Sequence, residues 1–303
     1  NLNIVSAAPP SSGGIVLVQM LNMLSMFDLT NLNSAERTHT LVEVMRRAYF
    51  ERAQHLGDTD FVEIPIDQFL STEYAQNLLI DFNPQYASVS QDYLSGGDLL
   101  IKDKELQEGQ NTTHFSIIDQ AGNYVAATLS INYPFGSGFV AAGTGVLLNN
   151  EMDDFVIKPG HPNSWGLVGS EANAIEAGKR MLSSMSPTFL DDGNRIAILG
   201  TPGGSRIISM VLLSVLEFAN GAGAETMVEL PRFHHQFLPD QIQFEANALG
   251  SLTQDELTDM GHILQDMQGS YGNMHTIIWD KRSNVVSAAS DPRSTGYAQV
   301  GAY

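Results

Sequence analysis

Short runs of apolar and β-branched residues meet at polar turns three times along this chain. The turns are rich in Asp, Gly and Asn, which supply positive φ values and local side-chain hydrogen bonds. This pattern predicts three hairpins, in which 114–118 pairs with 124–130, 188–190 with 195–199, and 275–279 with 285–289. Three hairpins indicate a substantial antiparallel sheet.

Helical periodicity separates these hairpins. It predicts helices over 14–26, 35–56, 205–218 and 254–260, and the second has capping-box spacing between Asn33 and Glu36. Because hairpins and helices occur in separate blocks, the pattern favours an α+β fold with antiparallel sheets covered by helices over a parallel doubly wound plan.

Composition and charge narrow the classes of partner and chemistry. The 303 residues include 34 acidic and 15 basic side chains, for a net charge of −19, which argues against binding to nucleic acid or anionic membranes. The absence of cysteine excludes disulfides, thiolate catalysis and Cys-ligated zinc. No apolar run is long enough to span a bilayer. His234 and His235 are adjacent, lack metal-site spacing and are interpreted as structural, so we expect no metal site.

Asn111, Thr112 and Thr113 stand at the start of the first predicted hairpin. Cleavage in front of a threonine would leave one residue with both a hydroxyl nucleophile and a free α-amine, whose pKa of about 7.7–8.0 lets it accept a proton near neutral pH. Either Thr112 or Thr113 fits this chemistry. The alternative interpretation is that two β-branched residues simply begin a strand.

Gly203 and Gly204 lie between a β-type run and a strongly apolar helical segment. Backbone amides at a helix N-terminus point at an approaching anion, and glycine lets the backbone come close to it. The pair is therefore a candidate oxyanion hole, with a plain turn as the alternative.

Eight motifs extend this interpretation over almost the whole chain. They are PPSSGG at 9–14, LGDTDFV at 56–62, TTHFSIIDQAGNYVAATLSIN at 112–132, FGSGFVAAGTGVLLNNEMDDF at 135–155, LSSMSPT at 182–188, GTPGGSRII at 200–208, PRFHHQFLPD at 231–240 and AASDPR at 288–293. In this order they resemble the γ-glutamyltranspeptidase (glutathione hydrolase) family of N-terminal-nucleophile (Ntn) hydrolases. The resemblance implies a four-layer αββα sandwich that cleaves itself into large and small subunits.

The family's cut precedes the first threonine. The resemblance therefore implies that Thr112 is the nucleophile and Asn111 the new C-terminus. Residues 1–111 would be the C-terminal part of the large subunit and 112–303 the small, catalytic subunit, together forming one domain that is incomplete at its N-terminus. The loop 96–110, rich in Gly, Asp, Lys and Glu, is the expected processing region.

The same resemblance assigns roles to further residues. It implies that Gly203 and Gly204 form the oxyanion hole and that Ser183 and Ser184 hold the substrate α-carboxylate. The remaining assignments are Asn132, Glu151 and Asp154 for the α-ammonium group, Ser130 as support for the nucleophile, and Trp165 as the gating aromatic of a lid loop at 158–165.

Two departures from the family pattern qualify these assignments. Ser130 stands where the family usually has threonine, which keeps the hydroxyl and loses a methyl group. The family also holds the α-carboxylate with an arginine from a segment ahead of PPSSGG. Because that segment is not in this chain, we expect weak or no turnover by the chain alone.

The function that the resemblance implies is γ-glutamyl transfer from glutathione or related compounds to water, amino acids or peptides, without a cofactor. The expected location is periplasmic or secreted. One alternative is a cephalosporin or glutaryl acylase of the same fold, whose substrate lacks the α-ammonium group. Another is a catalytically silent fragment that acts as a binding module.

Overall fold

The main sheet has five antiparallel strands. A computed structural model describes residues 2–94 and 111–301. Its strands are β1 (Asn3–Val5), β2 (Thr112–Ile118), β3 (Tyr124–Ser130), β4 (Thr188–Asp191), β5 (Arg195–Gly200), β6 (Phe233–His234), β7 (Ile242–Phe244), β8 (Leu264–Asp266), β9 (His275–Asp280) and β10 (Val285–Ser290). The main sheet has the order β1-β4-β5-β9-β10, whereas β2 and β3 form a two-stranded sheet and β6, β7 and β8 a three-stranded one.

All three predicted hairpins are present. β2 pairs with β3, β4 with β5 and β9 with β10, each antiparallel. In the first hairpin, the Asp119 carboxylate accepts hydrogen bonds from the backbone and side-chain nitrogens of Asn123, and Gly122 adopts a φ of +80°. These contacts close the turn and set the register that brings Thr112 opposite Ser130.

The four predicted helices are also present, with small shifts at their ends. The helices are α1 (Gly13–Leu24), α2 (Ser34–His55), α3 (Ile66–Phe69), α4 (Thr72–Leu78), α5 (Ile207–Ala219), α6 (Ala224–Glu229) and α7 (Ser251–Asp259). The capping box of α2 is confirmed, because Asn33 Oδ1 accepts from the Glu36 amide at 3.0 Å and Glu36 Oε2 accepts from the Asn33 amide at 3.0 Å. No helix in 2–94 or 111–301 is long and apolar enough to cross a membrane.

The layers follow from the alternation of side chains along β5. Ala197 and Leu199 belong to the same buried apolar cluster as α1, α2 and α5, whereas Ile196 and Ile198 lie on the opposite face. The β2–β3 hairpin packs on that opposite face, where Ser116 Oγ donates to the Ile198 carbonyl. In the described part of the chain, helices, main sheet and hairpin therefore stack as three of the four layers that an αββα sandwich implies. The predicted α+β class with helix-covered antiparallel sheets is confirmed.

Candidate active site

The first hairpin places Thr112 beside Ser130 at its open end. Thr112 Oγ1 lies 2.9 Å from Ser130 Oγ, and Ser130 Oγ accepts a hydrogen bond from the Asn132 amide at 2.9 Å. Either hydroxyl can donate in the contact between Thr112 and Ser130, and Ser130 also hydrogen-bonds the Glu151 carboxyl. The contact between Ser130 and the candidate nucleophile was expected from the resemblance.

Asn111 directly precedes β2, and the expected cut lies between it and Thr112. Its carbonyl accepts a hydrogen bond from the Ile131 amide at 3.4 Å, and its side-chain nitrogen is buried without a partner among the described residues. The expected processing loop at 96–110 lies outside the described residues.

Most of the expected site residues line one cavity of about 1370 Å³. Its lining includes Thr112, Ser130, Asn132, Glu151, Asp154, Trp165, Ser183, Ser184 and Gly204. Asn111 and Gly203 are each next in sequence to a lining residue but are not themselves part of the lining. The fold thus brings together residues that are up to 92 positions apart in the sequence, from Thr112 to Gly204.

Ser183 and Ser184 are braced by the PPSSGG segment. The Ser12 amide and hydroxyl both donate to the Ser183 carbonyl, at 2.8 and 2.7 Å, and the Ser183 amide donates to the Pro10 carbonyl at 3.0 Å. Ser12 occupies the position before α1, but its side chain makes no capping hydrogen bond, because it is directed to this neighbouring segment instead. The motif therefore fixes the backbone that carries the two candidate carboxylate-binding hydroxyls.

Glu151 and Asp154 form a tightly coupled pair of acids on a single 3₁₀ turn, Glu151–Asp154. Burial, together with the Glu151 charge, raises the pKa of Asp154 to about 7, and burial also raises the pKa of Glu151. Two close carboxyl groups in a half-buried site do not both ionise readily. Near neutral pH the pair therefore retains a proton for part of the time, and an approaching cation would favour its release.

Asn132 and Trp165 are linked directly. Asn132 has a φ of 68°, a left-handed conformation that asparagine tolerates, and its Oδ1 accepts from Trp165 Nε1 at 3.1 Å. The Trp165 ring lies against Gly204, where an added Cβ would come within 2.8 Å of the ring. Trp165 thus covers the candidate oxyanion region, while one lone pair of Asn132 Oδ1 stays available to a ligand.

Gly203 and Gly204 stand immediately before the apolar helix. Their φ values are 142° and 54°, which favour glycine, and a 3₁₀ turn over Gly204–Arg206 leads into α5. The helix starts at Ile207, two residues later than predicted, because the glycine pair and this turn intervene. The amides of Gly203 and Gly204 lie at its N-terminal end, as the oxyanion-hole prediction requires.

Two arginines in the cavity lining were missed by the sequence analysis. Arg52, on the last turn of α2, is only 5% exposed; its Nε donates to Ser12 Oγ at 2.9 Å and its Nη2 to Ser184 Oγ at 3.2 Å. Arg206 is 2% exposed, and its Nε donates to Gln243 Oε1 at 3.0 Å. No cation from this chain was expected beside Ser184, whereas Arg52 lies there in the structure. Charged residues recur along α2, a pattern typical of a solvated face, so only the tertiary structure shows that this arginine is buried.

His234 and His235 are buried and hydrogen-bonded through both ring nitrogens. His234 lies 2.8 Å from Ser209 Oγ and 2.9 Å from Gln236 Oε1. His235 lies 3.2 Å from Asp240 Oδ1 and accepts from the Phe237 amide. Burial lowers the pKa of His234 to about 3 and that of His235 to about 4, so both are neutral at pH 7.

A further cluster has the residue types of a metal site. In the described part of the chain, His39, Glu43 and His262 place ligand atoms within 4.8 Å of one another. Burial alone would raise the pKa of Glu43, but Arg46 and Arg47 outweigh it and lower that pKa to about 2. The Glu43 oxygens already accept from both arginines, and His39 Nδ1 lies 2.8 Å from His262 Nε2. A cation would have to displace these contacts.

Comparison with known proteins gives one consistent family. The family model for gamma-glutamyltranspeptidase matches residues 1–301. The glutathione hydrolase proenzyme of Pseudomonas sp. (strain A14) is 45% identical over 263 residues, which are 86% of this chain and 44% of that protein. The chain spans about half the length of the curated relatives it matches.

Solved structures agree with this result. The gamma-glutamyltranspeptidase from Pseudomonas nitroreducens complexed with L-DON is 45% identical, with a TM-score of 0.58 over 63% of this chain and 100% of that one. The cephalosporin acylase from Bacillus halodurans has a TM-score of 0.75 at 21% identity, over 97% of this chain and 50% of that one. The second match reflects a shared fold alone.

Proposed function

Because this chain belongs to the gamma-glutamyltranspeptidase family, we propose that it cleaves itself before Thr112 and then transfers γ-glutamyl groups. The observation that carries the proposal is the Thr112–Ser130 hydroxyl pair, 2.9 Å apart, in the same cavity as Ser184 and Asp154. A nucleophile and the groups that would hold an α-amino acid thus share one space. Thr112 and Ser130 stand in the positions that the family resemblance assigns to the nucleophile and its support.

Self-cleavage would begin with the Thr112 hydroxyl. Its oxygen attacks the Asn111 carbonyl, the C–N bond breaks, the nitrogen takes up the proton, and water then hydrolyses the resulting ester. The Ile131 amide, which donates to the Asn111 carbonyl, would stabilise negative charge on that oxygen. The products are a large-subunit fragment ending at Asn111 and a small subunit beginning with Thr112, held together as a heterodimer.

The length of a solved relative supports this division. The P. nitroreducens chain is matched over its whole length by 63% of this chain. Residues 112–303 make up 192 of the 303 residues, which is the same share.

After cleavage, the freed α-amine of Thr112 would act as the base for its own hydroxyl. The hydroxyl oxygen attacks the γ-carbonyl of the donor, and the amides of Gly203 and Gly204 would stabilise the oxyanion, a role in which one donor is worth about 3–4 kcal/mol. The amine leaves with a proton, and water or an acceptor amine then attacks the γ-glutamyl ester. The proposed donors are glutathione and related γ-glutamyl compounds, and the proposed acceptors are amino acids and peptides.

The two ends of the cavity differ in charge. Ser183 and Ser184 would donate to the donor's α-carboxylate, whereas Glu151 and Asp154 would bind its α-ammonium group. This second group favours γ-glutamyl donors over glutaryl donors, because a buried acid pair without a cation to bind would be unfavourable for an acylase. We also propose a periplasmic or secreted location, which fractionation of the native host would test.

Mass spectrometry of the purified chain tests the nucleophile. We expect fragments of 111 and 192 residues, with Thr112 as the first residue of the 192-residue fragment. Thr112→Ala should leave one intact chain. Thr113→Ala is the matched control, because Thr113 is exposed on the other face of β2, and it should still be cleaved. An N-terminus at any residue other than Thr112, or a chain that stays intact, would refute the proposal.

Substrate class needs a separate test. Release from a γ-glutamyl anilide is compared with release from a glutaryl anilide, which lacks only the α-ammonium group. We expect the γ-glutamyl compound to be preferred. Preference for the glutaryl compound would support the acylase alternative, and cleavage without turnover of either would support a silent binding module.

A further inference from the structure

Arg52 lines the candidate donor site beside Ser184. It is 5% exposed, lines the cavity, and lies in the last turn of α2. Its Nε donates to Ser12 Oγ and its Nη2 to Ser184 Oγ. Among the described residues its hydrogen-bond partners are two neutral hydroxyls, and Asp154 acts on its charge without forming a close ion pair. Much of its positive charge can therefore still attract an anion in the adjoining cavity.

Arg52 acts as the hydrogen-bond donor to both serine hydroxyls that it contacts. Ser12 Oγ donates its proton to the Ser183 carbonyl at 2.7 Å and therefore accepts from Arg52. Ser184 Oγ also accepts from Arg52, and its own proton has no acceptor among the residues that the structure describes. Arg52 thus orients the Ser184 hydroxyl so that its proton is available to a ligand.

The opposite charge lies nearby. The positive charge of Arg52 lowers the pKa of Asp154, whereas burial raises it. Cavity-lining Arg52 and the Glu151–Asp154 pair together present a positive and a negative end. That arrangement complements the carboxylate and ammonium groups of an α-amino acid.

We propose that Arg52 is a positioning residue for the α-carboxylate of the donor: it directs the Ser184 hydroxyl at that carboxylate and supplies a buried positive charge beside it. This inference rests on the proposed function, since it takes Ser184 as the carboxylate-binding group. Arg52 would then supply the positive charge that faces the α-carboxylate of the donor.

Three small ligands separate this role from a merely structural one. L-glutamate has both α-groups, glutarate keeps the carboxylate that stands for the α-carboxylate, and 4-aminobutyrate lacks it. Dissociation constants are measured by calorimetry for wild type, Arg52→Gln and Arg52→Lys. For Arg52→Gln we expect about 10- to 100-fold weaker binding of L-glutamate and glutarate, and less than about twofold change for 4-aminobutyrate. Arg52→Lys keeps the positive charge but loses the planar guanidinium with its several N–H donors. Its dissociation constants should lie between those of wild type and Arg52→Gln.

Two further variants keep the test decisive if Arg52→Gln folds poorly. Ser12→Ala removes the hydrogen-bond partner of Arg52 Nε. It should weaken the binding of L-glutamate and glutarate by a smaller factor, about 3- to 10-fold. Arg37→Gln, on the exposed part of the same helix, is the control and should leave all three constants unchanged. Equal weakening of all three ligands by the Arg52 variants, no weakening at all, or no binding of L-glutamate by wild type would overturn the proposal.

This experiment is independent of self-cleavage. A chain that cleaves at Thr112 but binds L-glutamate without regard to Arg52 would refute the role of Arg52 alone. A chain that stays intact but shows the expected ligand pattern would refute the proposed catalysis alone.

Discussion

The β4–β5 and β2–β3 hairpins have the same local design and very different surroundings. β4 and β5 lie within the five-stranded sheet, between β1 and β9, and Leu199 there is fully buried. Within the described ranges β2 and β3 pair only with each other, and Leu129 on their outer face is 51% exposed. The turn sets the register in both cases, whereas burial is supplied by neighbouring elements. The candidate nucleophile Thr112 therefore sits on the less supported hairpin.

The two faces of the β2–β3 hairpin also differ. Its outer face carries the exposed apolar side chains Phe115, Ile117 and Val125. Its inner face, directed at the main sheet, is polar: His114 Nδ1 lies 2.8 Å from Thr128 Oγ1. Burial lowers the pKa of His114 to about 3, so this inner contact is neutral. Ser116 Oγ donates to the Ile198 carbonyl and the Tyr124 ring lies against Phe189, so both polar and apolar contacts join the hairpin to the main sheet.

Truncating one leucine in each hairpin gives the largest expected difference. Leu199→Ala should lower the free energy of unfolding by about 2–5 kcal/mol, because it leaves a cavity in the core. Leu129→Ala should cost less than about 1 kcal/mol, because much of that side chain is already in water. Urea unfolding followed by circular dichroism measures both. Equal losses would mean that the outer face of β2–β3 is covered in solution. They would contradict the conclusion that this hairpin is less buried than β4–β5.

Gly200→Ala probes the contact between the two regions. A Cβ at Gly200 would lie 2.3 Å from the His114 ring, which is held on both sides by hydrogen bonds. We expect a loss of about 1–3 kcal/mol from overpacking. Gly223→Ala is the control, since nothing lies within 4 Å of its added Cβ, and should change stability by only a few tenths of a kcal/mol. Similar stability for the two variants would show that the hairpin shifts freely on the sheet.

Ser130→Ala separates chemistry from stability on the exposed hairpin. Loss of the hydroxyl next to Thr112 should slow self-cleavage and turnover about 10-fold, the equivalent of one hydrogen bond, while the melting temperature stays nearly constant. Ser130→Thr restores the residue that the family usually has and should be at least as fast as wild type. The time course of fragment formation on a denaturing gel measures the effect, and an unchanged rate in Ser130→Ala would remove Ser130 from the mechanism.

Local sequence patterns were sufficient to predict the elements. The Asp119–Asn123 turn and the Asn33–Glu36 capping box each act over a few residues, so their structures follow from side-chain chemistry that is visible in the sequence. The three hairpins and four helices appear with end shifts of a few residues. The family resemblance named nine of the residues that line the cavity, and neither Arg52 nor Arg206 is among them.

Long-range placement was harder to predict. Arg52 looks like a solvated helical charge in the sequence, and only its approach to Ser184, 132 residues away, makes it part of the cavity. The same limit applies to Ser12, which stands at the N-cap position of α1 but donates to the Ser183 carbonyl instead of capping the helix. In each case the partner is far away in the sequence, and only tertiary packing brings the two side chains together.

The smallest expected effect concerns the acids on the loop after β3, where the exposed hairpin meets the buried end of the cavity. Burial raises the pKa of Asp154 from 3.8 to about 7, so the folded chain holds a proton that the unfolded chain releases. The resulting stability is fully present below about pH 4 and is lost as the pH rises through 7.

Asp154→Asn carries no such proton, so its melting temperature should rise relative to wild type by about 2–4 °C between pH 4 and pH 7, the equivalent of roughly 1 kcal/mol. Asp153→Asn, an exposed neighbour on the same turn, should parallel wild type. Binding of an α-ammonium group should strengthen over the same pH range, because the ionised pair attracts it. Parallel melting curves for wild type and Asp154→Asn would show that this acid is solvated, and the contrast between an exposed hairpin and a buried charged end of the cavity would then be lost.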